Sequence, residues 1–490
     1  MNKELNTELL DLAIIYAVKA HANTERRGKG FPYIVHPMEA VAIVSTITPD
    51  QELLAAAALH DVVEDTDVTI EEIRSEFGDR IATLVAAESD TPGGSWHDRK
   101  QAAIDRLAKA SYDAKVVAMG DKLSNMRAIA RDYELVGDHL WDLFHAPNGR
   151  PDHEWHYRGL AGSLFELAGT FAYREFVGLI DKVFGEMDMD HPVLVDINDY
   201  EESGGGFCAT SYNHKDGKTM SKFYDVQVPN ALPIQELMLS RRVNRMGIPT
   251  PMSGRLITDG TRTGVEYHRI KPKESFSRYI SNRPEALEDI AVRFAHMTKK
   301  LHSTECDKNH FESVADHFHE IVTHSEFFTE EEKQRMHKFI DDTPEADTCI
   351  HGDLHIGNVI TTGGPLSKDV QKPVYDLWID LGDFRWGNPY FDLGMWYFVC
   401  FCNPDSLTTD LYHIGNAQMQ QVFDIFAREY AGADTPEKLE AFKATLRPYA
   451  ALKMVDLLSQ FKNFAASHTF EEGFNPVVSM SAFVRQELLS

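Results

Sequence analysis

From residue 5 to about residue 187, apolar positions recur at intervals of three and four, the spacing that lines one face of an α-helix. LLDLAIIYAVKAHA, HPMEAVAIVSTI, QELLAAAALHDVV and AKVVAMGDKLSNMRAIA carry the pattern, which predicts an all-helical region. Turn residues interrupt it at TPGG (91–94) and APNGRPD (146–152). The period changes in MDMDHPVLVDINDYEESGGG (187–206), where β-branched and polar residues alternate ahead of three glycines. KTMSKFYDVQV and the pair GRLITDG–TRTGVEYHRI continue the strand pattern. Between them PIQELMLSRRVNRMG reads as an amphipathic helix that ends at a glycine before the turn IPTPM. Helical spacing returns from about residue 284, broken by the strand-like passages TCIHGDLHIGNVITT and VYDLWIDLGD.

This order predicts a multidomain α and α+β chain with a boundary near residue 190. A helical bundle is expected over 1–188 and a bilobal domain over 189–490, its strand-rich small lobe at about 193–272 and its helical large lobe at about 273–490. A length of 490 residues exceeds one ordinary core and agrees with two domains.

The balance of 76 acidic against 49 basic side chains gives a net charge of −27. Such a surface repels nucleic acid and anionic membranes, so neither is expected as a partner, whereas a nucleotide needs only a local basic pocket or a metal. The five cysteines (Cys208, Cys306, Cys349, Cys400, Cys402) show no disulfide or zinc spacing. No segment approaches the ~20 apolar residues of a membrane span, and MNKELNTELLDLA lacks a basic leader. A cytoplasmic, reduced protein is expected.

ALHDVVEDTD (58–67) is the first stretch with candidate chemistry. At helical spacing Glu64 stacks over His60 and Asp65 over Asp61. A divalent ion on His60 and Asp61 would then have two carboxylates one turn away to handle water. His36 in FPYIVHP and Asp121 in MGDKLSN complete a mixed nitrogen and oxygen donor set suited to Mn, Fe, Zn or Mg. Taken singly, Asp121 could be a helix cap and His36 a turn histidine. The order H…HDxxED…D resembles the HD-domain metallohydrolases. RRGKGFPYIVHP, LLAAAALHDVVEDTDVTIEEIRSEFGDRIATLV and AKVVAMGDKLSNMRAI resemble the hydrolase domain of the RelA/SpoT group over roughly residues 5–180.

That resemblance implies an Mn²⁺-type ion on His36, His60, Asp61 and Asp121, and removal of the 3′-pyrophosphate from (p)ppGpp or a related nucleotide. It implies that Glu64 and Asp65 handle the attacking water, Arg27 packs on the base, Asn125 touches the ribose and Lys122 contacts phosphate. RGKG replaces the usual RKSG before PY, and the C-terminal half of the chain is not the synthetase domain of the family's long members. WHDRKQAAIDRL (96–107) and WHYRG (155–159) are similar to members that are not proven alarmone hydrolases, which leaves the substrate open.

A second constellation lies in CIHGDLHIGNVI and LWIDLGDF. Asp353 can accept a proton from an attacking hydroxyl, Asn358 can hold a metal, and Asp380 ends an apolar strand where it can bridge metal and phosphates. HGDLHIGN with the later IDLGDFRWGNPYFDLG resembles the aminoglycoside-phosphotransferase and choline-kinase branch of the protein-kinase-like fold. The resemblance covers roughly residues 195–480. It implies Asp353 as catalytic base, Asn358 and Asp380 as Mg²⁺ ligands, His351 and Asp392 as supports, and ATP or GTP as phosphoryl donor to a small-molecule hydroxyl acceptor. Lys222 in MSKFYDV, with Lys218 as rival, and Glu236 in PIQELML have the strand and helix contexts of the phosphate-holding pair. GGG (204–206) is either a phosphate cover or a hairpin turn. A two-domain enzyme is the leading expectation; the alternatives are a regulatory protein in which one domain senses nucleotide for the other, and an HD phosphohydrolase acting on a different phosphoester.

Overall fold

The computed structural model describes residues 7–26, 30–88, 93–185, 192–205, 209–228, 231–271, 273–363, 376–464 and 476–489. They form two compact units, one of residues 1–245 with 251–269 and one of 246–250 with 270–490. The expected boundary near residue 190 falls inside the first unit, which holds both the helical region and the first sheet.

The helical region runs α1 (Glu8–Ala20), α2 (Val35–Ser45), α3 (Gln51–Leu59), α4 (Val62–Asp65), α5 (Ile70–Phe77), α6 (Asp79–Glu88), α7 (Trp96–Lys109), α8 (Tyr112–Val136), α9 (Arg150–Ser163) and α10 (Phe171–Phe184). Side-chain oxygens satisfy the free amides at several starts. Asp50 caps α3, Ser111 caps α8, and reciprocal capping boxes open α5 (Thr69, Glu72) and α7 (Ser95, Asp98). Leu53 through Leu59 are all buried, so α3 is the central helix, and its four consecutive alanines let neighbours approach closely. α8 comes close to α2 at Gly120, where an added Cβ would lie 2.9 Å from the Ala40 carbonyl oxygen and 2.9 Å from Val44. Gly120→Ala is therefore expected to cost about 1–3 kcal/mol by forcing the helices apart. A lowered denaturant midpoint checks this.

The first unit continues with β1 (Val193–Leu194), β2 (Tyr200–Gly205), β3 (Ala209–His214), β4 (Thr219–Tyr224), α11 (Ala231–Arg245), β5 (Ser253–Thr258) and β6 (Thr263–His268). The strands form a six-stranded sheet in the order β1-β5-β6-β4-β3-β2. Only the β1–β5 pair is parallel. Leu237 of α11 packs on Leu256 and Val265 in a small core of its own.

The second unit contains β7 (Glu274–Ser275), α12 (Phe276–Asn282), α13 (Leu287–Leu301), α14 (Val314–His324), α15 (Glu330–Asp342), β8 (Thr348–Ile350), β9 (Val359–Thr361), β10 (Asp376–Trp378), β11 (Arg385–Gly387) and α16 (Tyr390–Phe401). It ends with α17 (Asp405–Tyr412), α18 (Asn416–Ala431), α19 (Pro436–Phe464) and α20 (Pro476–Leu488). Phe294 of α13 packs among Trp378, Trp396 and Phe426. The buried Arg293 ties α13 to the β9–β10 hairpin through Asp376 (2.8 Å) and Thr361 (2.8 Å). Cys306, Cys349 and Cys400 are buried, and burial pushes the Cys402 thiol up to about 12. Among the described residues no helix is long and apolar enough to cross a membrane.

Candidate functional site

In the helical region His36 lies in the first turn of α2 and Asp121 in the middle of α8, so Asp121 is not a helix cap. His60 and Asp61 occupy the step between α3 and α4 rather than the interior of one helix. Adjacent residues of a continuous helix point about 100° apart and cannot converge on one centre. The step at Asp61 (φ −96°, ψ −4°) brings its carboxylate to 3.0 Å from His60 Nε2. The α-helical register then resumes, with the Asp65 amide donating to the Asp61 carbonyl at 2.9 Å.

The four side chains meet. His36 Nε2 lies 3.1 Å from Asp121 Oδ1 and 3.3 Å from Asp61 Oδ2, while His60 Nε2 lies 3.6 Å from Asp121 Oδ1. The two Nε2 atoms are 3.2 Å apart. The opposite ring nitrogens are already engaged. The Ser124 hydroxyl donates to Glu39 (2.7 Å), so its oxygen accepts from His36 Nδ1–H (2.8 Å). His60 Nδ1–H donates to the Ala57 carbonyl at 2.8 Å. Both imidazoles thus present Nε2 inward, as metal-binding histidines do.

Burial opposes charge here, yet the partners prevail. Asp61 and Asp121 hold the His60 imidazolium well above the ordinary histidine range. His60 and His36 hold Asp61 well below the carboxylate range, and Lys122 with the same histidines does so for Asp121. His36, His60 and Asp121 form a buried set that fits a divalent cation in place of their protons, with the half-buried Asp61 carboxylate against both imidazoles.

Glu64 and Asp65 line the cavity in front of this cluster, whose volume is about 510 Å³. The Tyr33 hydroxyl donates to Asp61 at 2.7 Å; burial and the neighbouring Asp61 and Asp65 carboxylates hold that phenol far above its ordinary pKa. Lys122 is paired with Asp121 and with Glu88 (3.2 Å), and these carboxylates overcome burial to hold its ammonium well above the usual range. Asn125 donates to Asp121 and accepts from Arg26 Nη2 at 2.6 Å. Arg27 lies outside the described residues, whereas Arg26 lines the cavity and stacks over Tyr33 at 5.5 Å.

His156 lines the same cavity, and burial there lowers its pKa to about 3, so folding keeps it neutral. Between about 6.5 and that value the unfolded chain binds a proton that the folded chain does not. Stability is therefore expected to fall, by about 1.4 kcal/mol per pH unit for this group, as the pH drops below about 6.5. Denaturant titrations at two pH values check the slope, which His156→Gln should flatten.

The strand lysine and helix glutamate also lie in the first unit. Lys222 Nζ on β4 is 2.9 Å from Glu236 on α11, and the hydroxyls of Tyr224 and Tyr267 donate to the same carboxylate. Lys218 is half exposed and pairs instead with Glu166 at 3.2 Å. Gly204 is part of β2, and Gly206 lies outside the described residues.

In the second unit the loop between β8 and β9 carries His351, Asp353 and Asn358. The fully buried Asp392 accepts the amides of His351 (2.7 Å) and Gly352 (2.7 Å) and faces His302 Nε2 at 3.0 Å. Gly352 has φ +84°, and a Cβ there would overlap the Asp383 carbonyl oxygen, so the turn needs glycine. His351 Nε2 reaches the Ile379 carbonyl at 3.1 Å, and the Ile379 amide donates to the Asn358 carbonyl at 2.9 Å. Asp380 thus comes directly after the loop's own partner strand, in a left-handed conformation (φ +59°, ψ +62°). Asn358 Nδ2 donates to Asp353 Oδ2 at 2.9 Å. The Gly357 amide donates to His355 Nδ1 (3.0 Å), which turns Nε2–H toward Asp353 Oδ2 at 3.4 Å. Burial would raise the Asp353 carboxyl, but His355, Lys453 and His351 hold it well below its ordinary range, which keeps it ionised.

A family model described as HD domain matches residues 13–144, and one described as phosphotransferase enzyme family matches residues 221–442. A guanosine-3′,5′-bis(diphosphate) 3′-pyrophosphohydrolase of Danio rerio is 36% identical over 130 residues, which are 26% of this chain and 72% of that protein. A GTP pyrophosphokinase of Brucella ovis is 34% identical over 157 residues; they are 30% of this chain and only 21% of that longer protein. An aminoglycoside phosphotransferase of Streptomyces rimosus, solved with ADP and streptomycin, is 19% identical, with a TM-score of 0.33 over 51% of this chain and 92% of that one.

Proposed function

This chain belongs to the HD-domain family through its helical region and carries a phosphotransferase-family domain after it, and from that premise we propose a two-domain enzyme: a metal-dependent (p)ppGpp-type 3′-pyrophosphohydrolase joined to an ATP- or GTP-dependent small-molecule phosphotransferase. One observation carries the hydrolase reading. The cavity that receives His36, Asp61 and Asp121 is also lined by Arg26, Arg99, Lys100, Arg106 and Lys122, cationic side chains suited to a multiply phosphorylated nucleotide in a chain that is otherwise strongly acidic.

His36, His60, Asp61 and Asp121 would hold one divalent ion, Mn²⁺ by family resemblance. When bound, such an ion polarises a phosphoryl oxygen and acidifies water. Glu64 and Asp65 would take the proton of the water that attacks phosphorus. The new P–O bond forms as the bond to the ribose O3′ breaks, so pyrophosphate leaves and the 3′-hydroxyl is regenerated. Asn125 and the segment bearing Arg26 and Arg27 would orient ribose and base. Incubation with ppGpp and Mn²⁺ tests this reading: GDP and pyrophosphate are expected in equal amounts, and intact ppGpp would overturn it.

In the phosphotransferase half, Asp353 would accept the proton of the acceptor hydroxyl as that oxygen attacks the γ-phosphorus. Asn358 and Asp380 would hold Mg²⁺, which neutralises phosphate charge when bound. Lys222, fixed by Glu236, would hold the inner phosphates of the nucleotide. ATP and GTP consumption over a panel of aminoglycosides, amino alcohols and sugars tests the activity and finds the acceptor. A cytoplasmic location fits both nucleotide substrates.

A further inference from the structure

The pair Lys222–Glu236 is braced from outside the small-lobe sheet. Within the first unit, Phe165 of the turn Phe165–Leu167 after α9 touches β5 and β6, and α10 packs along α11. Glu166 is the polar centre of this seam. It accepts from Lys115 of α8 at 2.9 Å and from Lys218 at 3.2 Å, and Lys218 leads directly into β4, the strand of Lys222. Lys115 is buried and lies six positions before Asp121 on the same helix. Next to Glu166, the Phe165 ring fills the space over Gly254 of β5, where a Cβ would come within 2.8 Å of it, and meets the His268 ring of β6 edge-on. On the α11 side, Arg241 Nη2 donates to the Gly254 carbonyl at 2.6 Å, and Gly178 of α10 lies against Arg245. Met252, between α11 and β5, joins the apolar core of the helical region. The residue that leads into the lysine's strand, the strands β5 and β6 on one side of that strand and the helix of the glutamate are therefore all touched by hydrolase-region residues.

We propose that Phe165 and Glu166 are positioning residues for the Lys222–Glu236 pair, so that the hydrolase region is a structural part of the phosphotransferase half's grip on nucleotide phosphates. This rests on the reading of Lys222 and Glu236 as the phosphate-holding pair. A lysine–glutamate pair of this kind works only when strand and helix are held in register, and moving the helix is enough to disable it. A small lobe on its own would leave the Lys218–Glu166 pair and the Phe165 contacts unmade.

The test uses the full-length chain and whichever of ATP or GTP the unaltered protein binds more tightly with Mg²⁺, together with its nucleoside. Glu166→Gln is expected to weaken triphosphate binding about fivefold, and Phe165→Ala about tenfold, with nucleoside binding unchanged. Glu166→Asp should recover part of the loss, since it keeps the charge between the two lysines. ppGpp hydrolysis within twofold of the unaltered chain reports that the fold is intact; Glu166→Gln, the milder change, serves if Phe165→Ala does not fold. Lys222→Met sets the scale. If it weakens triphosphate binding while Glu166→Gln and Phe165→Ala bind normally, the bracing role is overturned. If Lys222→Met itself binds normally, the assignment of the pair falls, and the bracing role with it.

Discussion

Asp61→Ala is expected to lower pyrophosphate release from ppGpp by about a thousandfold, the equivalent of about 4 kcal/mol of lost transition-state stabilisation. Asp61 stands 3.0 Å from His60 Nε2 and 3.3 Å from His36 Nε2, so its carboxylate, like that of Asp121, is an anionic partner of both imidazoles. Its loss leaves two buried histidines facing Asp121 alone and frees the Tyr33 hydroxyl that donates to it at 2.7 Å. The position is not exchangeable for a neighbouring carboxylate. Asp65 is one turn on in the register of α4, and Asp121 is already committed to Lys122 and Asn125. Metal content should fall with activity, so parallel measurement of bound Mn²⁺ and of GDP formation checks the prediction. Nucleotide consumption by the phosphotransferase half should persist, and that separates loss of a ligand from loss of the fold. Pyrophosphate release within tenfold of the unaltered chain would remove Asp61 from the metal set.

How much of this is legible in the chain alone depends on the range of the interactions. HDVVED and HGDLHIGN are local, with acidic and imidazole groups a few residues apart, and they become specific only in order with His36 and Asp121, and with Asp380. The step at His60–Asp61 is not legible, because periodicity sees one continuous helix, and only the demand that adjacent side chains meet at one point breaks it. Ser124 lies three positions after Asp121 and so on the same helical face, which makes it findable; Glu39, three after His36, is the same case. Arg26, which the motif did not single out, lines the cavity, while the expected base contact Arg27 lies outside the described residues. The expected supporting role of Asp392 has a concrete form: one carboxylate receiving two loop amides and His302, the histidine of KKLHS. The docking of Phe165 and Glu166 on the small-lobe strands has no sequence signal. It joins surfaces some fifty to a hundred residues apart through one glycine and one carboxylate, and no periodic pattern records such a contact.

Asp353→Asn carries the complementary expectation: phosphoryl transfer to the acceptor should fall by about 10²–10⁴-fold, the range for removing a general base, with ppGpp hydrolysis untouched. The substitution keeps the side chain's size but removes its charge and one acceptor. Asn358 Nδ2, which donates to Asp353 Oδ2 at 2.9 Å, and His355 Nε2–H at 3.4 Å both point at an oxygen that the amide can replace with a donor. An amide cannot take the acceptor's proton, so the loss should appear in kcat, while the KM for nucleotide changes little. The fold around the loop should survive, because the loop is held by Asp392 and by the Ile379–Asn358 backbone bond rather than by the Asp353 carboxylate. Asp392→Ala is the contrast. It strands the amides of His351 and Gly352 in a fully buried position, and each unsatisfied buried group costs about 1–3 kcal/mol. It should therefore lower the denaturant midpoint of the second unit, which Asp353→Asn should leave in place. Steady-state kinetics with the acceptor found in the panel, together with denaturant unfolding of both variants, decides the assignment: a kcat preserved in Asp353→Asn would move the base elsewhere in the loop.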